Sequence, residues 1–365
     1  MSMKVLHVID SLGLGGAQTL VQGIFEAQKD NKDIFLFALR ERDITTKVDH
    51  TNVTIFNSSS KYSFASLSAL KKIVEKEEIE ILHCHLFRSN VFGWLLKVIW
   101  FRNIKLIFHE HGRILTNNPS YKSFLKISQS SVNLFIAVSE GARIAIERIG
   151  IPDSKIKILY NFVDTQKFNR SRIAWDIENE RQKLGISGSQ FVVGYAGRLA
   201  EIKGWREFIN AAASISKENS NIKFLVVGDG PGKEEMLAII ESLNLRSHVV
   251  YLGYVTDMVW FYSLVNCCVI PSHTELFPLT PLEAQSMQVP VIASDIPGLR
   301  EVVSDKTTGL LFQRGDVEDL REAILLLEKE STLRNRLVEG GIKNAEKFSL
   351  TDYLPKLAHM YVDLA

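Results

Sequence analysis

From Val5 onward, short apolar runs alternate with stretches whose apolar positions recur every three or four residues. The runs read as strands buried on both faces and the longer stretches as helices. A first series predicts strands over Val5–Ile9, Ile34–Leu39, Val53–Phe56, Ile79–His83, Leu106–His109 and Leu134–Val138. Helices starting near Ala17, Phe64, Ser89, Ser120 and Glu140 fill the gaps. The pattern pauses across Asn161–Gln190, where one short helix, Asp176–Leu184, is expected. A second series predicts strands over Phe191–Ala196, Lys223–Val227, Val249–Leu252, Cys267–Ile270, Val291–Ala293 and Gly309–Phe312.

Strands alternating with helices from end to end predict an α/β fold of two doubly wound domains, residues 1–168 and 169–349. Such pairs bind ligands in a crevice at the carboxyl ends of their strands. A final helix, residues 350–365, places Leu354, Leu357, Met360 and Tyr361 on one side; it either caps the second domain or returns to the first.

Composition narrows the classes. With 43 basic and 42 acidic residues among 365, no charge excess calls for nucleic acid or a strongly acidic partner. Cys84, Cys267 and Cys268 form neither a CxxC pair nor an even-numbered framework, so they read as buried thiols in a reducing compartment. The start, MSMKVLHVID, enters a strand without a signal-peptide pattern, and a cytoplasmic location is expected. In VFGWLLKVIWFRNIKLIF, Val91–Phe108, Lys97, Arg102, Asn103 and Lys105 interrupt the apolar run. Two readings stay open for this stretch: a buried helix with a core strand, or peripheral contact with a membrane surface through Trp94, Trp100 and Phe101.

Two glycine clusters follow predicted strands, Gly13, Gly15 and Gly16 in SLGLGGAQT and Gly228, Gly230 and Gly232 in VVGDGPGKEE. Each exposes backbone N–H groups to an anion, but Gln18 and Lys233 stand where the dinucleotide fingerprint needs its last glycine. In GYAGRLAEIKGW, Arg198 and Lys203 bracket a turn that opens a helix, and two cations beside free helix amides suit a diphosphate.

The most unusual stretch is PSHTELFPLTPLEAQSMQVPVIASDIPG, Pro271–Gly298, with Glu275 and Glu283 on either side of a turn. A metal is not expected between them: no Asp-x-Asp occurs, and His83, His85, His109 and His111 lie in the other half of the chain. Capping accounts for one carboxylate, with Thr280 as N-cap, Pro281 in the first turn and Glu283 completing the box. Glu275 is left over, next to the turn Leu276–Leu279.

ELFPLTPLEA, followed by VPVIASDIPGLREVV and TTGLLF, closely resembles the carboxyl-terminal signature of retaining family 4 (group 1) glycosyltransferases of the GT-B fold. GGAQ, ILHCH, FHEHG, AVSEGAR, YNFVD, AGRLAEIKG, VVGDGP and YLGYV extend the resemblance over nearly the whole chain. It implies two Rossmann-like domains facing across a crevice, an acceptor-side first domain and a nucleotide-sugar-binding second one. Glu275 then corresponds to the glutamate that contacts donor-sugar hydroxyls, and Glu283 to the one that holds the ribose. Arg198 and Lys203 match the pair that neutralises the diphosphate. Main-chain groups of Phe277, Leu279 and Thr280 would line phosphate and sugar, and Tyr254 and Val255 the base. Gly15 and Gly16 match the loop that approaches phosphates and acceptor, and His111, with His109 as rival, a crevice histidine. Leu276 and Pro278 replace glycines found in many members, so the sugar pocket is expected to differ.

The reaction implied is metal-independent transfer of a hexose from a nucleotide diphosphate sugar, UDP-linked by preference, to a glycan or lipid-linked hydroxyl with retention. No cofactor beyond the donor is expected. Paired carboxylates also serve as acid and nucleophile in retaining hydrolases, but the resemblance implies front-face attack with no assigned protein nucleophile. Domain closure on a hinge near Asn161–Arg172 is expected. A nicotinamide-dependent oxidoreductase and a non-catalytic nucleotide-sugar-binding protein remain as alternatives.

Overall fold

The computed structural model describes residues 3–13, 15–40, 50–56, 63–112 and 119–364. The chain divides into two compact units, Met1–Asn161 with Leu350–Ala365, and Phe162–Ser349.

In the first unit the described strands are β1 (Val5–Ile9), β2 (Ile34–Ala38), β3 (Val53–Ile55), β4 (Ile81–His85), β5 (Lys105–Glu110), β6 (Leu134–Ala137) and β7 (Ile156–Ile158). They pair in parallel in the order β3-β2-β1-β4-β5-β6-β7. Every residue of β1, β2 and β4 is buried, as a parallel sheet covered on both faces requires. Helix Gly16–Glu26 turns Leu20, Val21, Ile24 and Phe25 inward, a spacing of three and four that places them on one stripe.

Helix Leu350–Val362 belongs to this unit. It buries Tyr353, Leu357 and Tyr361, and the Tyr361 hydroxyl lies 2.7 Å from His83 Nδ1 and 3.3 Å from His7 Nε2. Residues 162–168, grouped with the first half by the sequence pattern, cluster instead with the second unit. There Phe168 packs edge-on against Tyr262, and its carbonyl accepts a hydrogen bond from Ser286 Oγ.

The second unit has β8 (Phe191–Ala196), β9 (Ile222–Val227), β10 (Val249–Gly253), β11 (Cys267–Ile270), β12 (Val291–Ser294) and β13 (Leu310–Phe312). The order is β10-β9-β8-β11-β12-β13, again parallel throughout. Trp205, Phe208, Phe224, Ile292 and Phe312 anchor its core. From β8 the sheet grows first toward β9 and β10, then on the other side from β11. The gap between the carboxyl ends of β8 and β11 is therefore a topological switch point, where open α/β sheets bind ligands.

Two expectations shift. The strand expected at Ile79–His83 begins at Ile81 and runs to His85. Glu78 takes a left-handed φ of 53°, and the amides of Glu80 and Ile81 both donate to Lys4 O, so the chain enters the sheet only there. β7 was not marked by any apolar run long enough to predict a strand. In the stretch Val91–Phe108, the structure builds most residues into the fold: Phe92, Gly93 and Leu96 are buried, and Lys97 donates inward to Ile104 O and Asn133 Oδ1. Ile99 and Trp100 remain exposed at the helix end. No helix among the described residues is long and apolar enough to cross a membrane.

Because Tyr361 hydrogen-bonds the final helix to His83 and His7 of the sheet, Tyr361→Phe is expected to lower stability by about 1–2 kcal/mol. Amide exchange should show the loss in β1 and β4 but not in β8 or β11. Equal loss of protection in both sheets would refute this assignment of the helix.

Candidate active site

Two loops meet at the β8–β11 switch point. After β8 the chain runs through Arg198 to a short 3-10 turn, Glu201–Lys203, and then Gly204, which starts helix Trp205–Ser216. Gly204 has φ 68°, and a Cβ there would sit 1.8 Å from Pro271 O, the first residue after β11. Only glycine allows this approach of one backbone to the other. The loops are tied by His273 N donating to Ile202 O at 2.9 Å. The β9 loop supports the same place, since Leu199 N donates to Asp229 O and Gly232 N donates to Leu199 O.

This close approach brings together residues 72 positions apart: Lys203 Nζ donates to Glu275 Oε1 at 2.5 Å. Ser272 Oγ donates to the same oxygen at 2.8 Å. The Glu275 side chain is 12% exposed and that of Lys203 30%, so the pair is largely shielded from water and its charge-assisted bond is correspondingly firm. From below, the short helix Pro297–Arg300 presents Gly298, where a Cβ would meet Glu275 O at 2.2 Å. Main chain and side chain of Glu275 are thus both held. Arg198 is exposed, and its guanidinium has no ion pair among the described residues.

Among the described residues, the amides of Glu275, Leu276 and Leu279 donate to no protein acceptor, which leaves N–H groups unused on the loop that carries Glu275. Phe277 turns its ring onto Phe348, 5.2 Å between centroids, so only its main chain can serve a ligand. Leu279 and Thr280 are half-buried at the start of helix Thr280–Ser286.

The capping expectation is corrected here. Leu279, not Thr280, occupies the N-cap, no side chain caps the helix, and Thr280 is already helical. Glu283 faces elsewhere: its Oε2 accepts from Tyr262 OH at 2.9 Å. Burial raises the Glu283 pKa, opposed by the Tyr262 hydrogen bond and by Lys167. Tyr254 and Val255 follow β10, Tyr254 exposed and Val255 half-buried.

In the first unit, Gly15 and Gly16 lie exposed just past β1, where Gly15 opens helix Gly16–Glu26. A Cβ on Gly16 would meet nothing within 4 Å, so that position leaves open space beside the backbone. His111, just past β5, is partly exposed, and its Nε2 lies 2.9 Å from His85 Nδ1. Burial of the ring pushes its pKa down to about 3. His109 is fully buried in β5, 3.1 Å from His83 Nε2, which makes it a core histidine. The helix after His85 begins with Leu86 at φ 71°, a left-handed turn that costs a leucine about 1–2 kcal/mol. Strand and helix are thereby joined with no loop between them.

Against this geometry, the model of Glycosyl transferases group 1 matches residues 176–344, and that of Glycosyltransferase Family 4 matches residues 14–167. The chain belongs to the family 4 (group 1) glycosyltransferases. It is 26% identical to the capsular polysaccharide biosynthesis glycosyltransferase CapM of Staphylococcus aureus, over 99% of this chain and 97% of that one. It is 25% identical to the UDP-Gal:alpha-D-GlcNAc-diphosphoundecaprenol alpha-1,3-galactosyltransferase of Escherichia coli, again over 99% and 97%. Anabaena Alr3699/HepE, solved with UDP and glucose, superposes with a TM-score of 0.86 at 22% identity, over 99% of this chain and all of that one. The fold is GT-B.

A glycosyltransferase replaces the oxidoreductase and the non-catalytic binding protein as readings of the chain. Sequence reasoning had named both members of the Lys203–Glu275 pair, but not their contact. It missed Ser272, Tyr262 and His7, and read Tyr361 only as an apolar position of the final helix. For His7 the signal was present: β1 and β4 pair in register, and a histidine on β1 level with HCH on β4 must meet it.

In this glycosyltransferase Gly204→Ala forces a non-glycine residue to positive φ and a Cβ into Pro271 O. It is expected to destabilise the second unit by at least about 2 kcal/mol. Urea unfolding followed by Trp205 fluorescence checks this; an unchanged midpoint would show that the two loops do not need the close approach.

Proposed function

We propose that this glycosyltransferase moves a hexosyl group from a UDP-sugar to a hydroxyl of a glycan or lipid-linked acceptor with retention of anomeric configuration. The observation that carries the reading is the Lys203–Glu275–Ser272 cluster at the β8–β11 switch point, with Arg198 on the same loop as Lys203 and without an ion pair among the described residues. UDP as the nucleotide rests on the relatives, the UDP-Gal-dependent galactosyltransferase of Escherichia coli and Anabaena Alr3699/HepE in complex with UDP.

In this reading Arg198 and Lys203 take the donor diphosphate, and the amides of Leu279, Phe277 and Thr280 lie along the phosphates and sugar. Glu283 holds the ribose, with Tyr262 fixing its carboxyl group. Tyr254 and Val255 take the base. Glu275, anchored by Ser272, meets the sugar hydroxyls near the anomeric carbon. The acceptor oxygen attacks that carbon on the face the diphosphate leaves. The anomeric C–O bond to phosphate breaks, a new glycosidic C–O bond forms, and the departing phosphate oxygen takes the acceptor proton. Negative charge grows on the leaving diphosphate, and preorganised cations stabilise that charge more than the ground state. With two cations in place, no divalent ion is needed at the diphosphate. Gly15 and Gly16 serve the acceptor side, and Ile99 and Trp100 offer an apolar contact for an acceptor held at a membrane.

Arg198→Ala is expected to lower UDP release by roughly a hundredfold or more, with the unfolding midpoint unchanged. Glu275→Gln should abolish transfer while UDP still binds. Proton NMR of the product should show the donor's anomeric configuration, and added Mg2+ or Mn2+ should not raise the rate. Full activity in Arg198→Ala, or an inverted product, would overturn the corresponding part of the reading.

A further inference from the structure

Five histidines lie on one face of the first unit's sheet: His7 on β1, His83 and His85 on β4, His109 on β5 and His111 just past it. Positions two apart on a strand share a face, so His83 and His85, and likewise His109 and His111, point the same way. Register sets His7 level with His83, and His85 level with His109. Elsewhere such a face is filled by apolar side chains.

With Tyr361 the rings form one hydrogen-bonded row. His111 Nε2 is 2.9 Å from His85 Nδ1, and His85 Nε2 is 3.0 Å from His7 Nδ1. His7 Nε2 reaches Tyr361 OH at 3.3 Å, Tyr361 OH reaches His83 Nδ1 at 2.7 Å, and His83 Nε2 reaches His109 Nδ1 at 3.1 Å. His7, His83, His85 and His109 are wholly buried.

The row has two ends, and both are open. His109 Nε2 and His111 Nδ1 are buried without a hydrogen-bond partner. Each orphan costs about 1–3 kcal/mol. The two end rings are neighbours, with centroids 4.0 Å apart, so whatever satisfies one end lies beside the other.

We propose that His109 and His111 bind a borderline divalent transition-metal ion of the Zn2+ type, with His85 and His83 as the residues that orient them. One ring nitrogen each of His85, His109 and His111 lies within 4.8 Å of the others. His85 has both ring nitrogens engaged, so His109 and His111 are the two protein ligands of this group, and water completes the shell at bonds of about 2.0–2.1 Å. Neutral imidazole is the form that ligates such ions.

Proton counting supports the same placement. When His109 Nε2 and His111 Nδ1 give lone pairs to the ion, the other nitrogen of each carries its proton. His111 Nε2–H donates to His85 Nδ1, and His109 Nδ1–H donates to His83 Nε2. His85 Nε2–H then donates to His7 Nδ1. His7 Nε2–H and His83 Nδ1–H both donate to the Tyr361 oxygen, which has two lone pairs and whose own O–H then points out of the row. Every link of the row is kept and both open ends are filled. Each ligand histidine gains the outer partner that metal-bound imidazoles require. The overlapping group His7, His83 and His85 is a poorer site, because every ring nitrogen in it already has a partner.

The test uses the full chain, freed of metal by a chelator and titrated with Zn2+ against a chromophoric competitor, then with Co2+ for its visible ligand-field bands. One equivalent per chain is expected. His111→Gln and His109→Gln should each abolish it, and His83→Gln and His85→Gln should weaken it by roughly 10–100-fold. His359→Gln, at an exposed histidine near Asp363, should change nothing. His109 is wholly buried, so circular dichroism accompanies each variant, and the partly exposed His111→Gln decides alone if His109→Gln does not fold. No stoichiometric binding, or binding that survives in folded His111→Gln, would overturn the proposal and leave a bridging water as the occupant. The readout is metal binding, so it is independent of transfer activity.

Discussion

The second unit is organised around one contact, the ion pair between Lys203 and Glu275 at the point where its sheet changes direction. Parallel strands leave their carboxyl ends on one edge, and the switch from β8 to β11 opens a gap there that neither strand's own loop can fill. The chain fills it by bringing two backbones into contact at Gly204 and Pro271, then crossing that contact with a charged side chain. A carboxylate and an ammonium paired in a half-shielded gap hold each other oriented. Arg198, exposed on the same loop as Lys203 and without an ion pair among the described residues, adds a cation at this end of the sheet. The same rigidity is what catalysis by charge stabilisation asks for, since groups aimed in advance need no reorganisation during the reaction.

The first unit solves a different problem. Its central strands put imidazoles where apolar side chains would pack, and a neutral imidazole in a core is tolerable only if both nitrogens are satisfied. The final helix makes this workable, because Tyr361 accepts or donates at the middle of the row. A chain that returns from the second unit to the first thereby contributes to the polar interior, and not only to surface packing. Glu110, on the same strand as His109, is also buried; Asn90 donates to it at 2.8 Å and Tyr121 donates to the same oxygen. Burial pushes that carboxyl group up to about 7.

Much of this was legible in the sequence, for identifiable reasons. Buried parallel strands are continuous apolar runs, so β1, β8 and β11 could be placed to the residue, and alternation with helices gave the doubly wound class. Boundaries failed where a backbone detail intervened, as at Ile81, whose entry into the sheet is set by Lys4 O and by the left-handed Glu78. Thr280, Pro281 and Glu283 match a capping box in pattern, yet Tyr262, distant in sequence, draws Glu283 away. Local rules cannot foresee a partner that only the fold supplies. Glu275, Arg198 and Lys203 were found by residue type and position, but the Lys203–Glu275 bond depends on a backbone approach that a glycine permits and no pattern announces.

The central claim is that the β8–β11 gap receives the donor diphosphate. A crystal structure of the full chain with UDP tests it most directly. The account predicts the diphosphate against Arg198, Lys203 and the amides of the Glu275–Thr280 segment, with the ribose hydroxyls on Glu283. A diphosphate seated instead on the Gly228–Gly232 loop, with Arg198 and Lys203 untouched, would contradict it.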